Sequence, residues 1–153
     1  MVKLSCLFRV YNVNLHEKME SVVIIGSGNV ATSLAHGLSS CCKVAQIYSR
    51  RLPHAQALAD AVGCPNATAD LRTLVTDADA YIIAVPDDAI AGIIASVPDN
   101  GRLWLHTSGS TPISVFEGHC AHYGVLWPMQ SFSREVVVPL DEVHFFAERS
   151  EEH

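Results

Sequence analysis

A glycine-rich segment near the start of the chain carries the clearest chemical signal. Residues 26–31 read G-x-G-x-x-A, directly after the apolar run Val22–Ile25 and directly before a segment with helical spacing. Gly26 allows a tight turn, Gly28 lets a phosphate approach the backbone, and Ala31 is small where a helix packs on a strand. The N–H groups at the start of such a helix bind anions. The segment therefore predicts a dinucleotide pyrophosphate site, the alternative being a tight strand–helix turn that binds nothing.

The residues about twenty positions further on indicate which dinucleotide is bound. NAD-binding domains place an acidic residue there, whereas this sequence has Tyr48, Ser49, Arg50 and Arg51. Ser49 can donate a hydrogen bond to a 2′-phosphate, and Arg50 can form a bidentate, charge-assisted pair with it. Arg51 is a weaker candidate. The pattern favours NADP over NAD, the alternative being two solvated surface arginines.

A second candidate segment follows the apolar run that begins at Ala80. Ligands of open α/β sheets bind outside the carboxyl ends of the strands, so this segment is expected at the same edge as the glycines. Ala84, Val85 and Pro86 are expected to line the cofactor's ribose and nicotinamide. Asp87 is interpreted as the cap of the following helix, with a role in the cleft as the alternative.

Polar and aromatic side chains follow the next two predicted strands. His106 can exchange protons near neutral pH and lies close to Ser108, so both are candidate catalytic residues. The alternative for His106 is a strand-end histidine bonded to the backbone. Trp127 and Gln130 offer an aromatic wall and an amide for substrate contact, with a packed turn as the alternative. No spacing of His and Cys predicts a metal site.

Apolar spacing alternates between strand and helix from residue 21 onward. Strands are predicted at Val22–Ile25, Val44–Tyr48, Ala80–Val85, Leu103–His106, Val125–Trp127 and Val143–Glu148, and helices at 29–38, Pro53–Val62, Asp70–Val75, Asp87 or Asp88 to Ser96, and Pro112–His122. Such alternation forms parallel βαβ units with right-handed crossovers. The predicted fold is α/β, a doubly wound and mostly parallel sheet of the Rossmann type.

Length and composition indicate one domain. The chain has 153 residues, 49% of them hydrophobic, and a net charge of -6. A mildly acidic chain without a long apolar run is not expected to bind nucleic acid or a membrane. Five scattered cysteines indicate reduced thiols in a cytoplasmic protein. We expect a poorly ordered extension over 1–19, with Met19 as a second candidate start, the domain over 20–149, and a polar tail over 150–153.

Five segments together carry a family resemblance: VVIIGSGNVATSLAHGL, IYSRR, DADAYIIAVPDDAI, LHTSGSTPISVF and GVLWPMQSFS. They resemble the Rossmann-like NADP oxidoreductases of unknown function that are related to pyrroline-5-carboxylate reductase and to deazaflavin-dependent NADP reductases, and the resemblance covers residues 21 to about 149. The resemblance implies an NADP-linked enzyme of a bacterial cytoplasm, acting on a C=N or C=O bond of a small metabolite.

The resemblance also implies roles for single residues. The pyrophosphate would lie on Gly26, Ser27, Gly28, Asn29 and Val30, the 2′-phosphate on Ser49 and Arg50, the nicotinamide beside Ala84, Val85 and Pro86, and the substrate beside His106, Ser108 and Gln130. Family members continue into a helical C-terminal domain that closes the cleft and commonly forms a homodimer, and this chain stops before it. A nucleotide-binding or sensing module without turnover, or a structural Rossmann domain, therefore stand as alternatives to an enzyme.

Overall fold

In the part of the chain that the structure describes, seven strands form one sheet with helices on both faces. The computed structural model describes residues 19–128 and 145–150. The elements are β1 (Ser21–Ile25), α1 (Asn29–Leu38), β2 (Lys43–Tyr48), α2 (Leu52–Val62), β3 (Ala67–Thr68), β4 (Ala80–Ile83), α3 (Asp87–Ser96), β5 (Leu103–His106), β6 (His122–Pro128) and β7 (Phe145–Arg149). The strand order is β3-β2-β1-β4-β5-β6-β7, and only β7 is antiparallel to its neighbour. This confirms the predicted doubly wound Rossmann fold.

Strand β1 is apolar from Val22 to Ile25 because both faces of the sheet are covered. Val22 and Ile24 point into one core with side chains of α1 and α2. Val23 and Ile25 point into the other core, with side chains of α3. A strand buried on both sides carries a continuous apolar run rather than an alternating one. None of the described helices is long and apolar enough to cross a membrane.

The turn after β1 lies where the strand order of the sheet reverses, between β1 and β4. Strands β2 and β3 lie on one side of β1 in the sheet, and strands β4 to β7 lie on the other side. Gly26 has a backbone φ of +135°, and a Cβ built on it would lie 2.1 Å from the Ala84 carbonyl oxygen. Its N–H donates to the Tyr48 carbonyl at 2.7 Å. Gly26 is therefore required by the fold itself, since both its conformation and its space exclude a side chain.

The predicted helix over Asp70–Val75 is wrong. The structure has a single 3₁₀ turn at Leu71–Thr73, preceded by the two-residue strand β3, which the apolar pattern did not indicate. The carboxylate of Asp70 accepts the backbone N–H of Arg72 at 2.9 Å. Such local side-chain bonds compete with helical hydrogen bonds and favour a turn.

The predicted helix over Pro112–His122 is also wrong. Only Ile113–Phe116 forms a 3₁₀ turn, and β6 already begins at His122 rather than at Val125. Gly118 follows with a backbone φ of +79°, which ends any helical continuation. The other predicted elements are present with small shifts at their ends, and the first two residues of the predicted last strand lie outside the described residues.

We expect Gly26→Ala to lower the free energy of unfolding by about 2–5 kcal/mol, because the methyl group meets backbone rather than a movable side chain. Gly92→Ala is the matched control. Gly92 lies inside α3, and a Cβ there would meet nothing within 4 Å. Alanine should stabilise that helix by up to about 1 kcal/mol. Urea unfolding of both variants measures the contrast, and equal stabilities would contradict the structural role of Gly26.

Candidate functional site

One cleft lies at the carboxyl ends of β1, β2 and β4, where the strand order reverses. Its volume is about 870 Å³. All ten residues predicted to bind a cofactor line it: Gly26, Ser27, Gly28, Asn29, Val30, Ser49, Arg50, Ala84, Val85 and Pro86. Dinucleotides bind at this position in doubly wound sheets. The structure therefore brings the predicted cofactor residues together, while their contacts with a ligand stay a prediction.

Gly28 lies at the N-terminus of α1, and its role differs from that of Gly26. Its φ of -79° and ψ of -161° are extended backbone that any residue adopts. A Cβ built on Gly28 would meet nothing within 4 Å, so the protein itself does not demand a glycine here. The first turn of α1 has no acidic residue and no side-chain cap. The open space and the uncapped helix end together fit an anion that approaches the backbone.

The end of β2 combines a buried hydroxyl with two exposed guanidinium groups. Ser49 is 6% exposed, and its Oγ lies 2.9 Å from the Oγ of Ser27. This bond joins the glycine loop to the end of β2. Arg50 and Arg51 are exposed on the rim of the cleft, and neither forms a salt bridge within the described part of the chain. Their positive charges are therefore available to an anionic ligand.

The cap predicted for α3 is wrong. The cap position is Pro86, whose side chain contains no hydrogen-bond acceptor. Asp87 is already the first helical residue. The Asp87 carboxylate instead accepts the Ser110 hydroxyl at 2.6 Å and faces the cleft. This hydrogen bond lowers the pKa of Asp87. Asp87 is therefore ionised at neutral pH.

His106 lies inside the protein rather than on the cleft. Its side chain is 0% exposed and stacks on Phe116, with ring centroids 5.6 Å apart. Nδ1 accepts the backbone N–H of Ser108 at 3.1 Å, so the neutral ring carries its proton on Nε2. Among the described residues Nε2 has no hydrogen-bond partner. Burial lowers the pKa of His106, which keeps the ring neutral.

Ser108 organises the turn after β5. Its Oγ accepts the backbone N–H groups of Ser110 at 3.2 Å and Thr111 at 3.1 Å. It also lies 3.3 Å from the Ser110 Oγ. Because the single Ser110 hydroxyl proton goes to Asp87, Ser108 must be the donor in that pair. His106, Ser108 and Ser110 thus form a continuous hydrogen-bonded unit that ends at the carboxylate in the cleft.

Trp127 lies next to this turn and does not line the cleft. It is 39% exposed and contacts the ring of Phe146 edge-on at 6.4 Å. A Cβ on Gly109 would lie 2.4 Å from the indole, so the turn after β5 packs directly on the Trp127 ring. Gln130, the other predicted substrate residue, lies outside the described residues.

Several cleft residues were absent from the predicted site, and His54 and Thr107 are two of them. His54 lies in the first turn of α2, next to Pro53, and the helix start predicted at Pro53 was the signal that would have placed it near the end of β2. Thr107 follows β5 directly, and its N–H donates to the Ile83 carbonyl at 3.2 Å. His54 adds a third basic group beside Arg50 and Arg51.

The described cysteines carry free thiols. Burial and the neighbouring Cys41 raise the pKa of Cys42 to about 12, and burial raises that of Cys120 to about 12. Burial also raises the pKa of Cys64. These three side chains stay protonated at neutral pH and are poor nucleophiles. Within residues 19–128 and 145–150, no three His, Cys, Asp or Glu side chains are grouped to hold a metal ion. Cys6 lies outside the described residues.

Solved structures share this architecture. A Bacteroides fragilis protein classed as an NADP oxidoreductase is 38% identical, with a TM-score of 0.76 over 86% of this chain and 52% of that chain. A Thermotoga maritima protein is 22% identical, with a TM-score of 0.65 over 85% of this chain and 49% of that chain. The A. aeolicus prephenate dehydrogenase, solved with hydroxyphenyl propionate and NAD+, is 14% identical, with a TM-score of 0.62 over 81% and 48%.

The chain thus spans about half the length of the solved structures that it matches. No curated protein sequence matches it. A family profile described as "NADP oxidoreductase coenzyme F420-dependent" matches residues 21–105, more than half of the chain. This agrees with the resemblance to Rossmann-like NADP oxidoreductases drawn from the sequence. The chain belongs to the family of F420-dependent NADP oxidoreductases.

Proposed function

We propose that this chain is the NADP(H)-binding domain of an oxidoreductase that acts on a C=N or C=O bond of a small metabolite. The observation that carries the proposal is the open space above Gly28, at an uncapped helix end inside the cleft. The cleft volume of about 870 Å³ is in the range of cofactor sites, about 300–1,000 Å³. Family membership supports a nicotinamide cofactor. Free thiols fit a cytoplasmic location.

Each part of the cofactor has residues suited to hold it. Backbone N–H groups of the glycine loop, Gly26 to Val30, would hold the pyrophosphate. Arg50 would pair with the 2′-phosphate, with Arg51 and His54 beside it. The Ser49 hydroxyl, which is hydrogen-bonded to the Ser27 hydroxyl, would contact the same 2′-phosphate.

The nicotinamide half would lie along Ala84, Val85 and Pro86, on the other side of the glycine loop. When bound, this ring supplies or accepts a hydride, and the protein contributes position and electrostatics. The Ala84 N–H is already used, since it donates to the Ile25 carbonyl at 2.8 Å. The segment would therefore contact the cofactor with its side chains and its remaining backbone groups.

The catalytic roles of His106 and Ser108 stay predictions, and their geometry supports a positioning role. The His106 ring is buried, and its Nδ1 lone pair holds the Ser108 N–H. A group that exchanges protons with a substrate must come within hydrogen-bond reach of it. We propose that His106 shapes the turn that presents Ser110 to Asp87, and that Trp127 and Gln130 contribute to the substrate side.

Titration with NADPH tests the binding function, and a screen of NADPH oxidation against small cyclic imines and carbonyl compounds tests the reaction. Saturable binding with turnover supports an oxidoreductase. Binding without turnover by any acceptor supports a nucleotide-sensing module instead. If neither NADPH nor NADH binds, the remaining interpretation is a structural Rossmann domain.

Gly28→Ala should separate ligand binding from folding. We expect the free energy of unfolding to stay within about 1 kcal/mol, because the new methyl group enters open space in an ordinary backbone conformation. The Kd for NADPH should rise about tenfold or more, because the methyl group occupies the approach of the pyrophosphate. Calorimetric titration and urea unfolding measure the two effects. Unchanged NADPH affinity would place the pyrophosphate elsewhere.

Arg50→Ala should remove most of the preference for NADPH over NADH. Losing a charge-assisted pair with the 2′-phosphate weakens NADPH binding by roughly tenfold to a hundredfold and leaves NADH nearly unaffected. Arg72→Ala is the control, since Arg72 is an exposed arginine that pairs with Asp70 outside the cleft. Equal affinities for NADPH and NADH in the unsubstituted protein would refute the assignment of Arg50.

His106 should make the fold less stable in mild acid. Burial lowers the pKa of the folded-state imidazole, so below its ordinary value of about 6.5 the unfolded chain binds more protons. Stability should therefore fall as the pH drops through that value, and this loss should be absent above about pH 7. His106→Asn, which keeps an acceptor for the Ser108 N–H, should flatten this slope, whereas His119→Asn at an exposed position should not. Urea unfolding at several pH values checks the difference.

A further inference from the structure

The charges in the cleft are separated by sign. Arg50 and Arg51 lie where β2 ends, and Asp87 and Asp88 lie where β4 is followed by α3. The glycine loop lies between the two groups, because β1 pairs with β2 on one side and β4 on the other. A dinucleotide on this loop would extend its adenosine toward the arginines and its nicotinamide toward Asp87.

Asp87 is held in a fixed position at its end of the cleft. Ser110 Oγ donates to Asp87 Oδ2 at 2.6 Å, the distance of a strong bond to an ionised acceptor. Ser110 is in turn held by Ser108, and Ser108 by the buried His106. His106 at the end of β5, together with Ser108 and Ser110 in the turn after it, thus sets the position of one carboxylate on α3.

The negative charge of Asp87 has no neutralising partner in the described part of the chain. Neither described salt bridge involves Asp87, and the His106 ring beside the turn is neutral. The oxidised and reduced forms of the nicotinamide ring differ in charge. The oxidised ring carries a positive charge and the reduced ring carries none. A carboxylate near the ring therefore attracts the positively charged oxidised form and has no net Coulomb attraction to the neutral reduced form.

We propose that Asp87 makes the cleft bind NADP+ more tightly than NADPH and so favours hydride donation by the bound cofactor. This rests on the proposed function, because it requires a nicotinamide dinucleotide in the cleft. In the favoured direction the hydride, with its two electrons, goes to the carbon of the C=N or C=O acceptor. A proton from solvent goes to the nitrogen or oxygen, and the positive ring remains beside the carboxylate.

Asp88 provides a matched control within the same helix turn. Both aspartates lie in the first turn of α3, line the cleft and are exposed, so both interact favourably with the helix dipole. Only Asp87 is bonded to Ser110. If each carboxylate interacts only with the helix dipole, Asp87→Asn and Asp88→Asn should change the affinity for the cofactor equally.

The test is the ratio of two dissociation constants, Kd for NADPH divided by Kd for NADP+, at about pH 7 and low salt. Calorimetric titration gives both constants for the unsubstituted chain, Asp87→Asn and Asp88→Asn. We expect Asp87→Asn to lower the ratio roughly three- to tenfold, the size of one solvent-screened Coulomb interaction. The loss should come from weaker NADP+ binding, and Asp88→Asn should change the ratio by less than about twofold. Added salt should reduce the ratio of the unsubstituted chain.

Two results would overturn the proposal. A ratio that is the same in Asp87→Asn and the unsubstituted chain removes the role of Asp87 while leaving cofactor binding intact. Equal changes in both variants assign the effect to the helix end and not to Asp87. Flat titrations with both cofactor forms in all three proteins are a different result, because they refute the proposed function itself.

Discussion

The close approach of two strands at Gly26 is the constraint on which the site depends. Strands β1 and β4 remain hydrogen-bonded to the end of β1, where the backbone passes so near the Ala84 carbonyl that no side chain fits. Immediately afterwards the crossovers on the two sides of β1 diverge, and the cleft opens. The same turn begins α1, so the one glycine positions both the floor of the cleft and the helix end that faces it.

The cleft is built from two hydrogen-bonded units. On one side the Ser27–Ser49 pair ties the glycine loop to the end of β2, next to the two exposed arginines. On the other side the turn after β5 is tied to α3 through Ser110 and Asp87. A nicotinamide-cofactor-binding domain of an oxidoreductase family thus carries positive charge at one end of its cleft and negative charge at the other.

The fold and the position of the cleft at the glycine loop were predictable because their signals are local. Apolar runs mark strands that are buried on both faces, and G-x-G-x-x-A directly after such a run marks the turn at Gly26. His106 was predicted at a strand end, with a bond to the backbone as the alternative to catalysis, but its burial was not predictable because burial depends on tertiary packing against Phe116. The partner of Asp87 was missed for the same reason, since Ser110 lies 23 residues away in sequence.

Among the described residues, the two outer strands of the sheet differ from the central strands in what they offer to another chain. At one edge β3 has only two residues, which offer very few backbone groups to another chain. At the other edge β7 carries the exposed charged residues Glu148 and Arg149. Short edge strands and charged edge strands are both poor templates for intermolecular β-pairing. The apolar strands that could nucleate aggregates, β1 and β4, lie in the middle of the sheet, where each is paired on both sides.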